Sequence, residues 1–260
     1  MPASENVELI PAMIIRHATI LEPTENGETK EGDGVSVVGQ QIAVRLKQLN
    51  LLDPMAIPGV RSELVEQISS WHLLWGEFWR LLGWVVSPDE LSLPHGLSTH
   101  LTPVWTIFTP RRFTHNAAVQ LLERVFGPKS VDNNLSMYGQ PDKVMTSERD
   151  PSESHLVLVR RSFSADDSNL EVVRSNKTAH NRRCQSTKGI GFTEYVALAA
   201  RLALEKHLLD TDTETMCSGT IVRRCFHPTV KSRNGRIVLF WESADFLSET
   251  TRIREVQVIR

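Results

Sequence analysis

The chain has 260 residues, of which 40% are hydrophobic and 23% charged, and its formal net charge at pH 7 is −2. This composition is typical of a globular protein with a sizeable core, and it excludes a generally basic nucleic-acid-binding protein. Three cysteines are too few for a disulfide framework in so long a chain. The sequence shows neither a secretory leader nor an apolar run that could span a membrane, so we expect a cytoplasmic protein.

The beginning of the chain predicts a strand, a loop and a helix. Ala12–Leu21 is apolar and β-branched enough for a strand, and Ser36–Leu49 has apolar residues at helical spacing. Leu51–Val60 contains two prolines and a glycine, which is typical of a linker. We therefore divide the chain into an N-terminal segment of residues 1–50, a linker of residues 51–61 and a domain of residues 62–260.

The residues from Arg16 to Ala18, at the end of the predicted strand, resemble the Arg-His-Gly motif of the histidine phosphatase superfamily. The resemblance implies that His17 takes a phosphoryl group and that Arg16 holds its oxygens. A segment beginning at Asp33 is also similar to that superfamily. The superfamily's Ser-Pro-x-x-Arg-Ala segment and its second catalytic histidine are missing. Two interpretations therefore stay open: a phosphatase site, or the end of a strand where His17 has no catalytic role.

Tryptophans recur every four residues within Ser62–Val86, which we predict to be helical. Trp71, Trp75 and Trp79 therefore lie on one face of the helix. Such a stripe is typical of a buried core or of an interface with a protein partner. We favour burial within the chain, because large exposed apolar patches are unusual on monomers.

The middle of the chain predicts two strands and one helix, and Gly127 followed by proline is typical of a helix end. These elements are the strand Thr102–Thr109, the helix Thr114–Phe126 and the strand Leu156–Val159.

Cationic side chains are concentrated between residues 174 and 188. A cluster of this kind can contact phosphates, so nucleic-acid binding is a third hypothesis beside a solvated loop. The candidate residues are Arg174, Lys177, Arg182, Arg183 and Lys188.

The strongest helix prediction covers residues 191–204. Thr193 is the predicted N-cap, and small alanines allow a neighbouring element to come close. Tyr195, Leu198 and Leu202 form an apolar stripe. The side that we expect to face solvent carries Glu194, Arg201 and Glu205.

The C-terminal part predicts three short strands, at Ile221–Cys225, Arg236–Trp241 and Glu255–Ile259. Asn234 and Gly235 predict a tight turn between the first two. We expect a small antiparallel sheet packed on the central helix, and hence an α+β fold of mixed helices and short strands.

Cysteine and histidine near the C-terminal strands raise the question of a metal site. Cys217, Cys225 and His227 supply only three local candidates, and the chain has no Cys-x-x-Cys. We predict strand residues with reduced thiols, no metal and no cofactor.

Several short segments, taken together and in order, resemble a recurrent family of uncharacterised proteins from uncultivated small-genome bacteria. The resemblance spans residues 62–260 and implies one continuous α+β domain, without an activity. The segments are Asp89–Pro94, Phe113–Asn116, Glu148–Pro151, the helix at residues 191–204, the residues from His207 to Thr220 and the strand Gly235–Val238.

No complete catalytic constellation can be assembled from these residues. The first hypothesis is therefore a binding or interaction protein without catalysis. The phosphatase that uses Arg16 and His17 is the alternative, and nucleic-acid binding through residues 174–188 is the third.

The phosphatase alternative predicts that the protein hydrolyses p-nitrophenyl phosphate and that His17→Ala abolishes the activity, because the phosphoryl acceptor is lost. His95→Ala is the control, since His95 lies in a predicted loop. Release of p-nitrophenol measures turnover, and equal rates in the two variants would eliminate this alternative.

Overall fold

A computed structural model describes residues 35–48, 74–91, 104–147, 149–165, 189–223, 226–243 and 248–259. The predicted strand at residues 12–21 and the linker lie outside these ranges. Within them, helices and strands follow one another in mixed order, which confirms the predicted α+β class.

The described residues contain five α-helices, and three of them match predicted helices to within one residue at each end. Thr114 caps the third helix with its side chain, and Gly127 ends it with a φ of 88°. The helices are α1 at Val37–Gln48, α2 at residues 74–81, α3 at His115–Phe126, α4 at Pro141–Val144 and α5 at Phe192–Ala203.

Ten strands are described, and most are short. In chain order they are β1 Val104–Thr109, β2 Val131–Asn133, β3 Met145–Ser147, β4 His155–Arg160, β5 Glu214–Met216, β6 Thr220–Val222, β7 Phe226–Arg233, β8 Arg236–Ser243, β9 Thr251–Ile253 and β10 Val256–Val258.

The strands form two sheets. One is antiparallel, with the order β1-β4-β10. The other has the order β2-β8-β7-β5-β9, with β6 attached to β7 and β3 attached to β6. This second sheet is mixed, because β2 runs parallel to β8 and β5 runs parallel to β9.

The tight turn at Asn234 and Gly235 is confirmed, with φ values of 52° and 73°. Positive φ at both central residues is what the favoured two-residue hairpin turn requires. It joins β7 to β8, and β7 was not predicted because Pro228 and several charged residues interrupt its apolar pattern.

Helix α5 is central, as predicted, and it packs against α3 and β1. All twelve of its residues are buried. The prediction of a solvent-facing side is therefore wrong: Glu194 is 1% exposed and Arg201 is 0% exposed. Each has an oppositely charged partner, Arg149 for Glu194 and Glu205 for Arg201, which makes burial of the charge possible.

The predicted N-cap of this helix is also wrong. Gly191 is the N-cap, and the side chain of Glu194 accepts the N–H of Gly191 at 2.6 Å. Thr193 lies within the first turn. A glutamate three residues after the cap is the second half of a capping box, so Glu194 marks the helix start more reliably than the threonine.

Helix α1 belongs to the same core as the rest of the described chain. Ile42 and Leu46 are buried in that core, and the backbone N–H of Ser36 donates to the carbonyl of Val125 in α3 at 2.7 Å. The described part of the predicted N-terminal segment thus packs directly on α3.

The tryptophan stripe covers the outer edge of β1. Trp75 and Trp79 are fully buried, and their indole N–H groups donate to the carbonyls of Thr106 and Phe108 at 2.7 and 2.9 Å. The two carbonyls are two residues apart and so lie on one side of the strand. These two side chains are buried within the chain and so are not available to a protein partner. Trp71 lies outside the described residues.

No helix in the described part of the chain is both long enough and apolar enough to cross a membrane.

Replacing Trp79 by phenylalanine should lower the free energy of unfolding by about 2 kcal/mol, because the buried hydrogen bond from its indole N–H to the carbonyl of Phe108 is lost. Trp84→Phe is the control, since the half-buried Trp84 packs against Trp79 and should cost under about 1 kcal/mol. Urea unfolding measures the free energy of unfolding of both variants. Equal losses would contradict the inference that the indole hydrogen bonds stabilise the outer edge of β1.

Candidate functional site

A pocket of about 300 Å³ lies where the end of β1, the first turn of α3 and the first turn of α5 meet. Its volume suits a small organic molecule. The apolar part of the lining consists of Pro110, Phe113, Met145 and Pro151. The polar part includes Thr109, Thr114, His115, Asp142, Thr146, Ser147, Arg149, Glu153, His155 and Thr193.

The buried carboxylate of Glu194 contacts two residues that line the pocket, Arg149 and His155. Oε1 of Glu194 lies 3.0 Å from Nε of Arg149 and 3.1 Å from Nε2 of His155. Burial by itself raises the pKa of Glu194, but His155, Arg149 and the N–H of Gly191 together outweigh that effect and hold the pKa below its ordinary value. Glu194 is therefore ionised at neutral pH.

Arg149 connects this carboxylate to the loops beside it. Its Nη2 donates to the carbonyl of Gly189 at 3.0 Å. A Cβ on Gly219 would lie 2.6 Å from Nη1 of Arg149, so only glycine leaves room for the guanidinium at that position. The positive charge of Arg149 is thus matched by Glu194 and held close to the backbone of two loops.

His115 is the first residue of α3, and a second carboxylate stands beside it. Nδ1 of His115 lies 3.7 Å from Oδ1 of Asp142, and the same oxygen accepts the N–H of Asn116 at 2.9 Å. Burial lowers the pKa of His115, and the charge of Asp142 offsets this only in part. The imidazole of His115 is therefore neutral at pH 7.

Three buried polar atoms at the pocket have neither a hydrogen bond nor an ion pair among the described residues. They are Nε2 of His115, Nδ1 of His155 and Oγ1 of Thr109. An unpaired buried polar atom costs about 1–3 kcal/mol. A ligand that bonds to these atoms would recover that cost, so the pocket is suited to binding.

The structure does not describe the site residues that were predicted from the sequence. Arg16 and His17 lie outside the described residues, and so does the basic cluster of residues 174–188. The phosphatase and nucleic-acid hypotheses therefore stay predictions.

The cysteine–histidine group is described only in part. Cys217 is buried with a free thiol, and Nδ1 of His227 lies 2.8 Å from the carbonyl oxygen of Thr220, while Cys225 is not described. Over the ranges that the structure covers, no three His, Cys, Asp or Glu side chains are placed to hold a metal ion.

Sequence reasoning missed His115, Arg149 and His155 as site residues. His115 and Arg149 fall within two segments that carry the bacterial family resemblance, but nothing in their spacing indicates that they meet. From the sequence, Glu194 is expected only on the solvent-facing side of a helix.

Comparison with known proteins gave no match among protein-family models, curated proteins or solved structures. Both resemblances described above therefore rest on the sequence motifs alone.

Glu194→Gln should destabilise the protein by about 3 kcal/mol at pH 7, because Arg149 and His155 lose the buried negative charge that they contact. The folded-state pKa of Glu194 lies below its ordinary value. The difference from wild type should thus be complete above about pH 5 and shrink as the pH falls through the folded-state pKa.

Urea unfolding at several pH values measures this difference. Glu249→Gln is the control, since Glu249 is exposed and its substitution should change little at any pH. A Glu194→Gln deficit that stayed constant down to about pH 3 would mean that folding does not lower the pKa of Glu194.

Proposed function

We propose that this chain is a cytoplasmic binding protein without catalysis of its own, and that the pocket beside Glu194 holds a small organic ligand. The observation that carries the proposal is the pair of unpartnered imidazole nitrogens, on His115 and His155, at a pocket with an apolar wall. Pockets that bind small molecules combine these two features.

The lining supports recognition of an amphipathic ligand. Phe113 and Met145 line the pocket and are otherwise buried, with 2% and 5% of their surface exposed, so the apolar wall of the pocket is continuous with the core. The two histidines supply hydrogen-bonding atoms beside that surface. A ligand with an apolar body and a polar group would therefore satisfy both parts of the lining.

Binding is favoured over catalysis because the described lining contains no activated nucleophile. Nucleophilic catalysis needs a hydroxyl or thiol that is hydrogen-bonded to a base. Nε2 of His155 faces Glu194, and the hydroxyl of Ser147 accepts the N–H of Arg149 at 3.2 Å. These contacts keep the side chains of His155, Ser147 and Arg149 in fixed positions, as is expected of a preformed binding site.

A fragment screen by ligand-detected NMR should find small molecules whose binding is lost in Thr146→Trp. Thr146 is exposed at the pocket, so an indole there should obstruct the pocket without disturbing the core. We expect dissociation constants to rise about tenfold or more, which corresponds to 1.4 kcal/mol.

Thr211→Trp is the matched control, because Thr211 is exposed and does not line the pocket. Ligands found in the screen should bind this variant as they bind wild type. The proposal is overturned if no fragment binds, or if every fragment binds both variants equally.

A further inference from the structure

We propose that the hydroxyl of Thr109 and Nδ1 of His155 form a subsite of this pocket for one uncharged hydroxyl group of the ligand, an alcohol or a phenol. The inference rests on the proposed function and adds the chemical class of the ligand. It follows from the positions of the two atoms, from their lack of partners among the described residues, and from what each atom can donate or accept.

The two side chains are neighbours across a pair of strands. Thr109 ends β1 and His155 begins β4, and the register of the two strands places these residues directly opposite each other. Directly opposite residues of an antiparallel pair have their side chains on the same face of the sheet, with Cβ atoms about 5 Å apart. Both residues line the pocket, so a single ligand atom can reach both side chains.

Both side chains are buried, and one polar atom on each is unpaired. Thr109 is 2% exposed and His155 is 6% exposed. Over the ranges that the structure covers, Oγ1 of Thr109 and Nδ1 of His155 have no hydrogen-bond partner. Two unpaired polar atoms beside each other destabilise the empty site, so a polar ligand atom is favoured there over an apolar one.

The other ring nitrogen of His155 limits what Nδ1 can do. Nε2 lies 3.1 Å from Oε1 of Glu194, and an ionised carboxylate only accepts hydrogen bonds, so Nε2 carries a proton in both forms of the ring. Nδ1 is then an acceptor if the ring is neutral and a donor if the ring is charged. A ligand group that suits both forms must be able to donate and to accept.

A hydroxyl group meets this requirement, because its oxygen both donates and accepts, as does the hydroxyl of Thr109. Beside a neutral ring, the ligand hydroxyl donates to Nδ1 of His155 and accepts from Thr109. Beside a charged ring, it accepts from Nδ1 and donates to Thr109. An ammonium group only donates, and a carboxylate or an ether only accepts, so each of these suits one form of the ring alone.

The surroundings of the subsite also favour an uncharged group. Glu194 and Arg149 lie 3.0 Å apart, so each already has a counter-charge. A charged ligand group loses far more hydration than a hydroxyl when it enters a buried site. Phe113 and Met145 supply the wall for the apolar body of the ligand. The class of ligand that follows is an uncharged alcohol or phenol.

The test compares five ligands that share one ring: phenol, toluene, anisole, benzoate and benzylamine. Phenol is uncharged at pH 7 and both donates and accepts. Toluene has a methyl group in place of the hydroxyl, anisole only accepts, and the last two carry opposite charges. Met145 lines the pocket, so its methyl signal in protein labelled with ¹³C-methyl methionine reports binding there. The signal is assigned with Met145→Leu.

Phenol should bind at about millimolar concentration, as is usual for fragments of this size. It should bind about tenfold more tightly than anisole, benzoate or benzylamine, because it alone among these four pairs with both atoms in either form of the ring. Toluene serves as the reference when variants are compared, since the apolar contribution of the ring then cancels.

Thr109→Val keeps the shape of the side chain but removes the hydroxyl, so it should reduce the preference for phenol over toluene about tenfold. Thr106→Val is the matched control. Thr106 lies in the same strand, its hydroxyl is also buried without a hydrogen-bond partner among the described residues, and it does not line the pocket. If Thr109→Val does not fold, Thr109→Ser and Thr109→Ala make the same comparison, since only serine keeps the hydroxyl.

Anisole, benzoate or benzylamine binding as tightly as phenol, with the Met145 signal shifted, would overturn the hydroxyl subsite and leave the proposed function intact. An equal preference for phenol over toluene in Thr109→Val and Thr106→Val would do the same. If the Met145 signal moves with none of the five ligands nor with any fragment of the screen, the proposed function and the subsite are both overturned.

Discussion

The buried carboxylate of Glu194 is the constraint on which the surrounding structure depends. A charge withdrawn from water is stable only if other groups replace its hydration. Here three separate parts of the chain do so: the backbone of Gly191 at the start of α5, the side chain of Arg149 after β3, and His155 at the start of β4. Because all three must converge on one side chain, they fix the helix and the two sheets relative to one another, and the pocket forms beside this junction.

A second buried carboxylate, that of Asp210, has a similar role and contacts the residue of α5 that follows Glu194. Tyr195 donates its hydroxyl to Asp210 at 2.8 Å, and Arg254 pairs with the same carboxyl group at 2.7 Å. Arg254 also donates to the carbonyls of Ser162 and Phe163, which follow β4. The apolar surfaces of α5 permit many arrangements of its neighbours, since dispersion and burial have little directionality. The two carboxylates select one arrangement, because a misplaced partner would leave a charge unpaired.

Local signals in the sequence predicted local structure well and the site poorly. Thr114 and Gly127 fixed the ends of α3, and Asn234 with Gly235 fixed a hairpin, because caps and turns depend on neighbouring residues only. The amphipathic pattern gave a wrong prediction for α5, because charged residues were expected to face solvent. Glu194 and Arg201 are buried instead, and each pairs with an oppositely charged side chain. The pocket could not be predicted, since His115 and His155 are forty residues apart and meet only through tertiary packing.

The pairing of distant strands also determines when the protein can fold during synthesis. β4 lies between β1 and β10, and its partner in β10 is roughly a hundred residues further along the chain. β2 likewise cannot pair until β8 has been synthesised. Among the described strands, the hairpin of β7 and β8 and the pairing of β6 with β7 close locally. Most of the other pairings join residues of long sequence separation, which fold slowly. A ribosome must therefore release the residues through β9 before the second sheet is complete, and those through β10 before the first is. Until their partners are released, β2 and β4 each have an edge open to other chains.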